Sequence, residues 1–138
     1  NWLASTDVAQ CTAAIGNADA EVVARIFVCP TEDADFARNL GRLLISTYLT
    51  VPAYAAFHDW LGRGDVLRKM WDAWRAGDRQ GALDAVPDSL VDELLVHGPP
   101  GACREHVEAY REAGVTTPVL MLVAPDDTAA ALRGLAPG

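Results

Sequence analysis

Two short runs that are apolar at odd and even positions alike decide most of what this chain can fold into. Glu21 to Cys29 reads EVVARIFVC, with Arg25 as its one interior charge, and Thr117 to Val123 reads TPVLMLV. A strand with one wet face alternates apolar and polar residues. A strand covered on both faces does not, and such strands belong to parallel sheets wrapped by helices. Around the two runs the 3.6-residue period dominates, and the order helix, strand, long helical stretch, helix, strand, helix predicts an α/β fold with a parallel sheet.

The helices carry recognisable stops. Ser5 is expected to cap a first helix whose Val8, Cys11 and Ile15 are helically spaced and which Gly16 ends. Pro30 closes the first strand, and Thr31-Glu32-Asp33 caps a long helix with Phe36, Leu40, Leu43, Leu44 and Thr47 as its apolar positions, broken at Pro52. An aromatic-rich helical stretch follows: Tyr54, Phe57, Trp60 and Leu61 up to Gly62, then Leu67, Met70, Trp71 and Trp74 up to Gly77. Asp78 to Val86 and Asp88 to Leu95 read as two further short helices, and no strand is expected within this run. After Val96-His97-Gly98, Pro100 opens a helix with Cys103, Val107 and Tyr110 on its buried stripe, stopped by Gly114. Pro125-Asp126-Asp127 turns the second strand into a short last helix that fades at Gly134 and Pro137.

The expected organisation is one partial domain over 1–138. Residues 1–30 give a strand end, helix and strand; 31–95 give the long helix and a lid-like helical excursion; 96–138 give a terminal helix-strand-helix unit. Two strands, or three if Asn1 to Leu3 is the tail of another, cannot close a barrel, which takes about 250 residues in its eightfold form. The start at Asn1-Trp2-Leu3, without initiator Met or signal-like segment, likewise reads as a piece of something longer.

Charge and composition narrow the function. With 51% hydrophobic and 22% charged residues the chain can bury a core, which argues against disorder. Lys and Arg total 11 against 19 Asp and Glu, a net charge of −8, so nucleic acid and anionic membranes are not expected partners. The longest apolar run, Val119 to Pro125, is far short of the ~20 residues of a membrane span. Cys11, Cys29 and Cys103 form no paired motif and read as reduced cytoplasmic thiols.

The stretch VPDSLVDELLVHGPPGACREHVEAYREAGVTTPVLMLV, from Val86 to Val123, resembles the C-terminal end of the bacterial luciferase-like oxidoreductases. Pro87, Leu90, Val91, Gly98, Pro100, Tyr110, Ala113, Gly114 and Val115 carry the likeness. Upstream, NWLASTDV is similar to the family's strand end and loop before its penultimate helix. RIFVCPTEDADFAR is similar to the seventh strand with its acidic cap, and YLTVPAYAAFHDWLG to an aromatic segment near the barrel mouth. Pro99, in place of a Thr or Ser cap, and Gly101-Ala102, in place of acidic residues, depart from the pattern; a lost cap costs a helix about 1 kcal/mol. The resemblance implies the C-terminal portion of a (β/α)8 TIM barrel, two to three parallel strands with a helical excursion between the last two. It also implies coenzyme F420, or alternatively FMN, as cofactor and a small-molecule substrate. The remaining N-terminal part of the barrel, which holds most catalytic residues, and a homo-oligomer are the implied partners. A non-catalytic truncated member or interaction module pairing through open sheet edges is the competing reading.

Barrel enzymes work at the carboxyl ends of their strands, and the pocket candidates follow from that. Asn1 and Trp2 offer an amide and an indole at a strand end, against the alternative of a Trp packed under a loop. Tyr48, Tyr54, Phe57, His58 and Trp60 form a candidate aromatic lid; for Phe57 and Trp60 core packing competes, and for His58 a solvent-facing position competes with proton donation. Arg25, on the parity of Val23, Phe27 and Cys29, needs a carboxylate or phosphate partner if buried. No catalytic residue is assignable. His97, Cys103 and His106 lack the paired spacing of a zinc site, Gly62-Arg63-Gly64 follows no strand and reads as a helix-to-helix turn, and neither a nucleophile elbow nor a dinucleotide or Walker loop occurs. The clusters Glu32-Asp33-Asp35 and Asp126-Asp127 lie at helix starts, where the dipole explains them.

Overall fold

The computed structural model describes residues 2–17, 19–125 and 127–136. Three parallel strands, β1 (Val23–Pro30), β2 (Val96–Gly98) and β3 (Thr117–Leu122), form a sheet in the order β2-β1-β3. Val23 to Val28 pair with Thr117 to Leu122, and Val28 to Pro30 pair with Val96 to Gly98. The α/β class with a parallel sheet thus holds. β1 has neighbours on both sides, and Ala24, Ile26 and Val28 are at most 1% exposed while Phe27 and Cys29 are at most 3%. That is the two-sided burial its unbroken apolar pattern requires.

The third strand is not where the sequence reading put it. Residues 2–4 are not a strand, and Val96–Gly98, read as a link, is one. Three residues are too few for a period to show, and what makes the strand is the ladder: Val96 is buried against Val28, and the Thr31 amide donates to the Gly98 carbonyl at 3.0 Å. The helical excursion therefore lies between the first two strands, not the last two.

The chain divides into two compact units, 1–37 with 92–138, and 38–91. The stretch read as 31–95 thus gives both its ends to the sheet-bearing unit.

In the sheet unit a 3-10 turn (Ser5–Asp7) leads into α1 (Val8–Ile15). Its cap differs from expectation. Ala4, not Ser5, occupies the cap position, and the buried Asp7 carboxylate accepts the Ala4 amide at 2.8 Å. Gly16 ends α1 with φ 67, the left-handed stop foreseen. Helix α7 (Pro100–Glu112) covers the sheet face of Ala24, Ile26, Pro118 and Leu120, with Cys103, Val107 and Tyr110 buried as expected. The Tyr110 hydroxyl donates to the Leu3 carbonyl at 2.7 Å and ties the start of the chain to this helix. Gly114, at φ 113, turns α7 into β3. Asp127 caps α8 (Thr128–Leu135) by accepting the Ala129 and Ala130 amides at 2.9 and 3.0 Å. Asp126 and Pro137 lie outside the described residues.

Helix α2 (Ala34–Tyr48) begins as read, with Asp33 accepting the Phe36 amide at 2.9 Å. Its buried side is turned from the predicted stripe. Ala37, Gly41, Ile45, Ser46 and then Leu49 are buried, whereas Phe36 and Leu43 are 44% and 53% exposed. Small residues at four-residue spacing let a helix approach its neighbours closely, and a reading weighted to large side chains passes over them.

In the second unit follow α3 (Pro52–His58), a π turn (Asp59–Arg63), α4 (Gly64–Arg75) and α5 (Arg79–Asp84), with α6 (Asp88–Leu94) leading back toward β2. Gly62 takes φ 85 and a side chain on Gly64 would collide with the Asp59 carboxylate, so this segment is the helix-to-helix turn expected. Leu67, Met70, Ala82 and Val86 are buried. The Trp71 indole donates to the Leu49 carbonyl at 2.8 Å just past the end of α2, and Arg42 joins the Val86 carbonyl to Asp88.

Candidate functional site

Parallel sheets bind ligands beyond the carboxyl ends of their strands, here Pro30, Gly98 and Leu122. A small groove of about 210 Å³ lies there, lined by Pro30, Pro100, Pro125, Asp127, Ala130 and Ala131. It is mostly apolar, and its one carboxylate, Asp127, is spent on capping α8. The groove has shape but no group able to carry acid–base chemistry.

The sheet face opposite α7 is chemically richer. Side chains of paired residues in a parallel ladder point the same way, so Val23, Arg25, Phe27 and Cys29 of β1 share a face with Thr117, Val119 and Met121 of β3. Trp2 lies on this face. Its ring stacks on Phe27 at 4.1 Å with an 11° tilt, and both rings are buried. The Arg25 guanidinium sits 5.0 Å from the centre of the same Phe27 ring, a cation–π contact that holds a guanidinium without neutralising it. The Arg25 Nε is buried without a hydrogen-bond partner. Toward the edge, Val23, Val119 and Met121 are 52%, 46% and 37% exposed.

Of the sequence candidates, Trp2 and Arg25 therefore meet through Phe27. Asn1 lies outside the described residues. Trp2 adopts φ 50, a left-handed backbone that non-glycine residues rarely take, and its side chain is wholly buried. Tyr48 and Tyr54, in the helical unit, stand edge to face at 6.3 Å and are half-buried. His58 is fully buried, against the solvent-facing position expected of it, and its ring lies edge-on to Phe57 at 5.6 Å. Phe57 in turn stacks on Trp60, which is 48% exposed.

The remaining titratable groups are structural in their partners. His97 faces Asp92, Nε2 to Oδ1, at 2.9 Å, and the Cys103 thiol donates to the Gly98 carbonyl at 3.3 Å. Burial, helped by neighbouring Cys29, pushes the Cys103 thiol up to about 11, so it is not a thiolate nucleophile at neutral pH. Burial and the nearby His97 lower the pKa of His106, which stacks on Tyr110. No group of three or more His, Cys, Asp or Glu able to hold a metal occurs among the described residues. No helix among them is long and apolar enough to cross a membrane.

Sequence reasoning did not single out Phe27, Val119 and Met121. The signal was available: they share the parity of Arg25 across two strands whose pairing places Arg25 beside Val119.

Compared with protein families, residues 4–117 match the model of a family described as luciferase-like monooxygenase. Neither a curated protein nor a solved structure matches the chain significantly.

Proposed function

Because this chain belongs to the luciferase-like monooxygenase family, we propose that it is the C-terminal part of a (β/α)8-barrel oxidoreductase. The barrel transfers a hydride or an oxygen atom to a small organic substrate, using coenzyme F420 or, as the alternative, FMN. The family match is the observation that carries this reading. The small parallel sheet, apolar on both faces of β3 and open at that strand, supports the partial barrel.

The described residues fit such a group as a wall. Val23, Val119 and Met121 offer an exposed apolar surface against which a flat ring system can lie. The bound cofactor supplies the redox chemistry, and a protein of this kind supplies position and electrostatics. Tyr48 and Tyr54 are the lid candidates, half-buried and ring-paired, and their phenols can donate to a substrate oxygen. Trp2 and His58 are fully buried, so their part is to hold the wall and the lid in shape. Cys11, Cys29 and Cys103 form no disulfide, which suits a reducing, cytoplasmic setting.

A non-catalytic role is the second reading, favoured by one observation: among the described residues, the strands present no carboxylate on the open sheet face, where Arg25, Cys29 and, by its pairing with Cys29, His97 are the titratable side chains. Absorbance titration decides between the two. The protein in the assembly it forms in its own cells is titrated with F420 and, separately, with FMN. Saturable perturbation of the ring absorbance of one of them supports the enzyme. No perturbation by either removes the support for it.

A further inference from the structure

Strand β2 is only three residues long, and its middle residue is a histidine. His97 pairs with Cys29 near the carboxyl end of β1, and residues paired in a parallel ladder share a face, so His97 joins the row of Arg25, Phe27 and Cys29. Its Nε2 lies 2.9 Å from Oδ1 of Asp92 in the last turn of α6, and the two side chains are 15% and 38% exposed. An ionised carboxylate only accepts, so Nε2 carries the proton of the neutral ring and Nδ1 is the nitrogen left for exchange. Nδ1 makes no hydrogen bond among the described residues and, unlike the ring nitrogens of His58, is not buried. The other titratable groups around the ring are Cys29 on β1, and Cys103 and His106 on α7.

We propose that Asp92 and His97 are a proton-transfer pair: Asp92 positions the ring, and Nδ1 of His97 gives a proton to, or takes one from, the oxygen of a small carbonyl or alcohol substrate beyond the carboxyl ends of β1 and β2. Two other uses of the cluster fail. Cys29 is wholly buried, so no electrophile reaches it as a nucleophile, and no group of three metal-binding side chains occurs among the described residues. A carboxylate on one nitrogen fixes the ring's tautomer and orientation and stabilises the charge that forms when both nitrogens are protonated. The inference deepens the oxidoreductase reading and rests on it for the hydride alone. When a carbonyl carbon receives a hydride from the reduced cofactor, which is thereby oxidised, a C–H bond forms and the C=O π pair moves onto oxygen. That oxygen takes the Nδ1 proton as its O–H bond, the imidazole returns to its neutral Nε2–H form on Asp92, and water reprotonates Nδ1. In the oxidising direction the alcohol proton goes to Nδ1 as the hydride leaves carbon.

The test takes the protein in the assembly it forms in its own cells and treats it with diethyl pyrocarbonate at slightly alkaline pH. This reagent acylates an accessible, unprotonated imidazole nitrogen, and peptide mass spectrometry reads each histidine separately. His97 is expected to label at least about tenfold faster than the buried His58. Asp92→Asn keeps an oxygen for the Nε2 proton, so the melting temperature stays within about 3 °C of the parent. It removes the charge, and labelling of His97 falls by at least about fivefold, which Asp92→Glu restores in part. A simple clip between α6 and β2 gives the opposite, a loosened ring that labels faster. Binding of F420 or FMN, followed by ring absorbance, is expected to shield His97 by about tenfold. Three results overturn the proposal: His97 as slow as His58, labelling unchanged or faster in Asp92→Asn, and labelling unchanged with a cofactor bound. If neither cofactor changes its absorbance, it is the oxidoreductase reading that has failed, and the labelling of parent and Asp92→Asn decides on the pair.

Discussion

Tyr110→Phe removes one oxygen and nothing else, which makes it the cleanest probe of how the sheet unit is held together. The ring is 1% exposed and its hydroxyl donates to the Leu3 carbonyl at 2.7 Å across a separation of 107 residues. Leu3 is itself buried, so the variant leaves its carbonyl without this donor. A lost hydrogen bond with a stranded buried acceptor costs about 1–3 kcal/mol. With an unfolding entropy of about 2.1 cal/mol/K per residue, a chain of this length loses roughly 3–10 °C in melting temperature. Because the phenyl ring fills the same volume, no cavity contributes. Thermal and urea unfolding of parent and variant read the effect, and Tyr54→Phe, at a half-buried site, is the control expected to change stability by less than ~0.5 kcal/mol. A Tyr110→Phe variant within about 0.5 kcal/mol of the parent refutes the claim that this bond anchors the start of the chain.

Trp2→Ala, which empties a fully buried site and breaks the stack on Phe27, is expected to cost about 3–5 kcal/mol, and Trp2→Phe clearly less; equal losses in urea melts contradict the stack. The lowered pKa of His106 means that the unfolded chain takes up a proton that the folded chain refuses. Stability is therefore full above the unfolded value of about 6.5 and falls as pH drops toward the folded value, and His106→Gln flattens that stretch of a stability–pH profile. Cys103, pushed up to about 11, works in the opposite sense: the unfolded thiol ionises first, so stability falls as pH rises from about 9 to 11. Thiol labelling at neutral pH is expected to reach the half-exposed Cys11 well before Cys29 and Cys103, and uniform labelling of all three in folded protein contradicts their burial.

What the sequence showed plainly was whatever a repeating period or a forced backbone writes into it. β1 and β3 stood out because both faces are apolar, and Gly16, Gly62, Gly77 and Gly114 all adopt positive φ where helices end or turn. What escaped was written in pairing. Val96–Gly98 is a strand because β1 offers it a ladder, and three residues carry no period. The side of α2 that is buried was misjudged because Ala37 and Gly41 pack as effectively as the large residues beside them. The seven-residue α3 is too short to declare a face, which left His58 expected in solvent when it is fully buried. Arg25 was recognised as needing a partner, and its parity with Phe27 was read correctly. Among the described residues its Nε has no hydrogen-bond partner, and the contact the structure gives it is the Phe27 ring.

Amide hydrogen exchange on β3 in the isolated 138-residue chain tests most directly the claim that its sheet is open and awaits completion. The account expects the Val119, Met121 and Val123 amides, which face β1, to be slow, and those of Leu120 and Leu122, which face the unpaired edge, to exchange at rates near those of an unstructured peptide. If Leu120 and Leu122 are as protected as Met121 in a chain that sediments as a monomer, the sheet is complete in itself and the account is wrong.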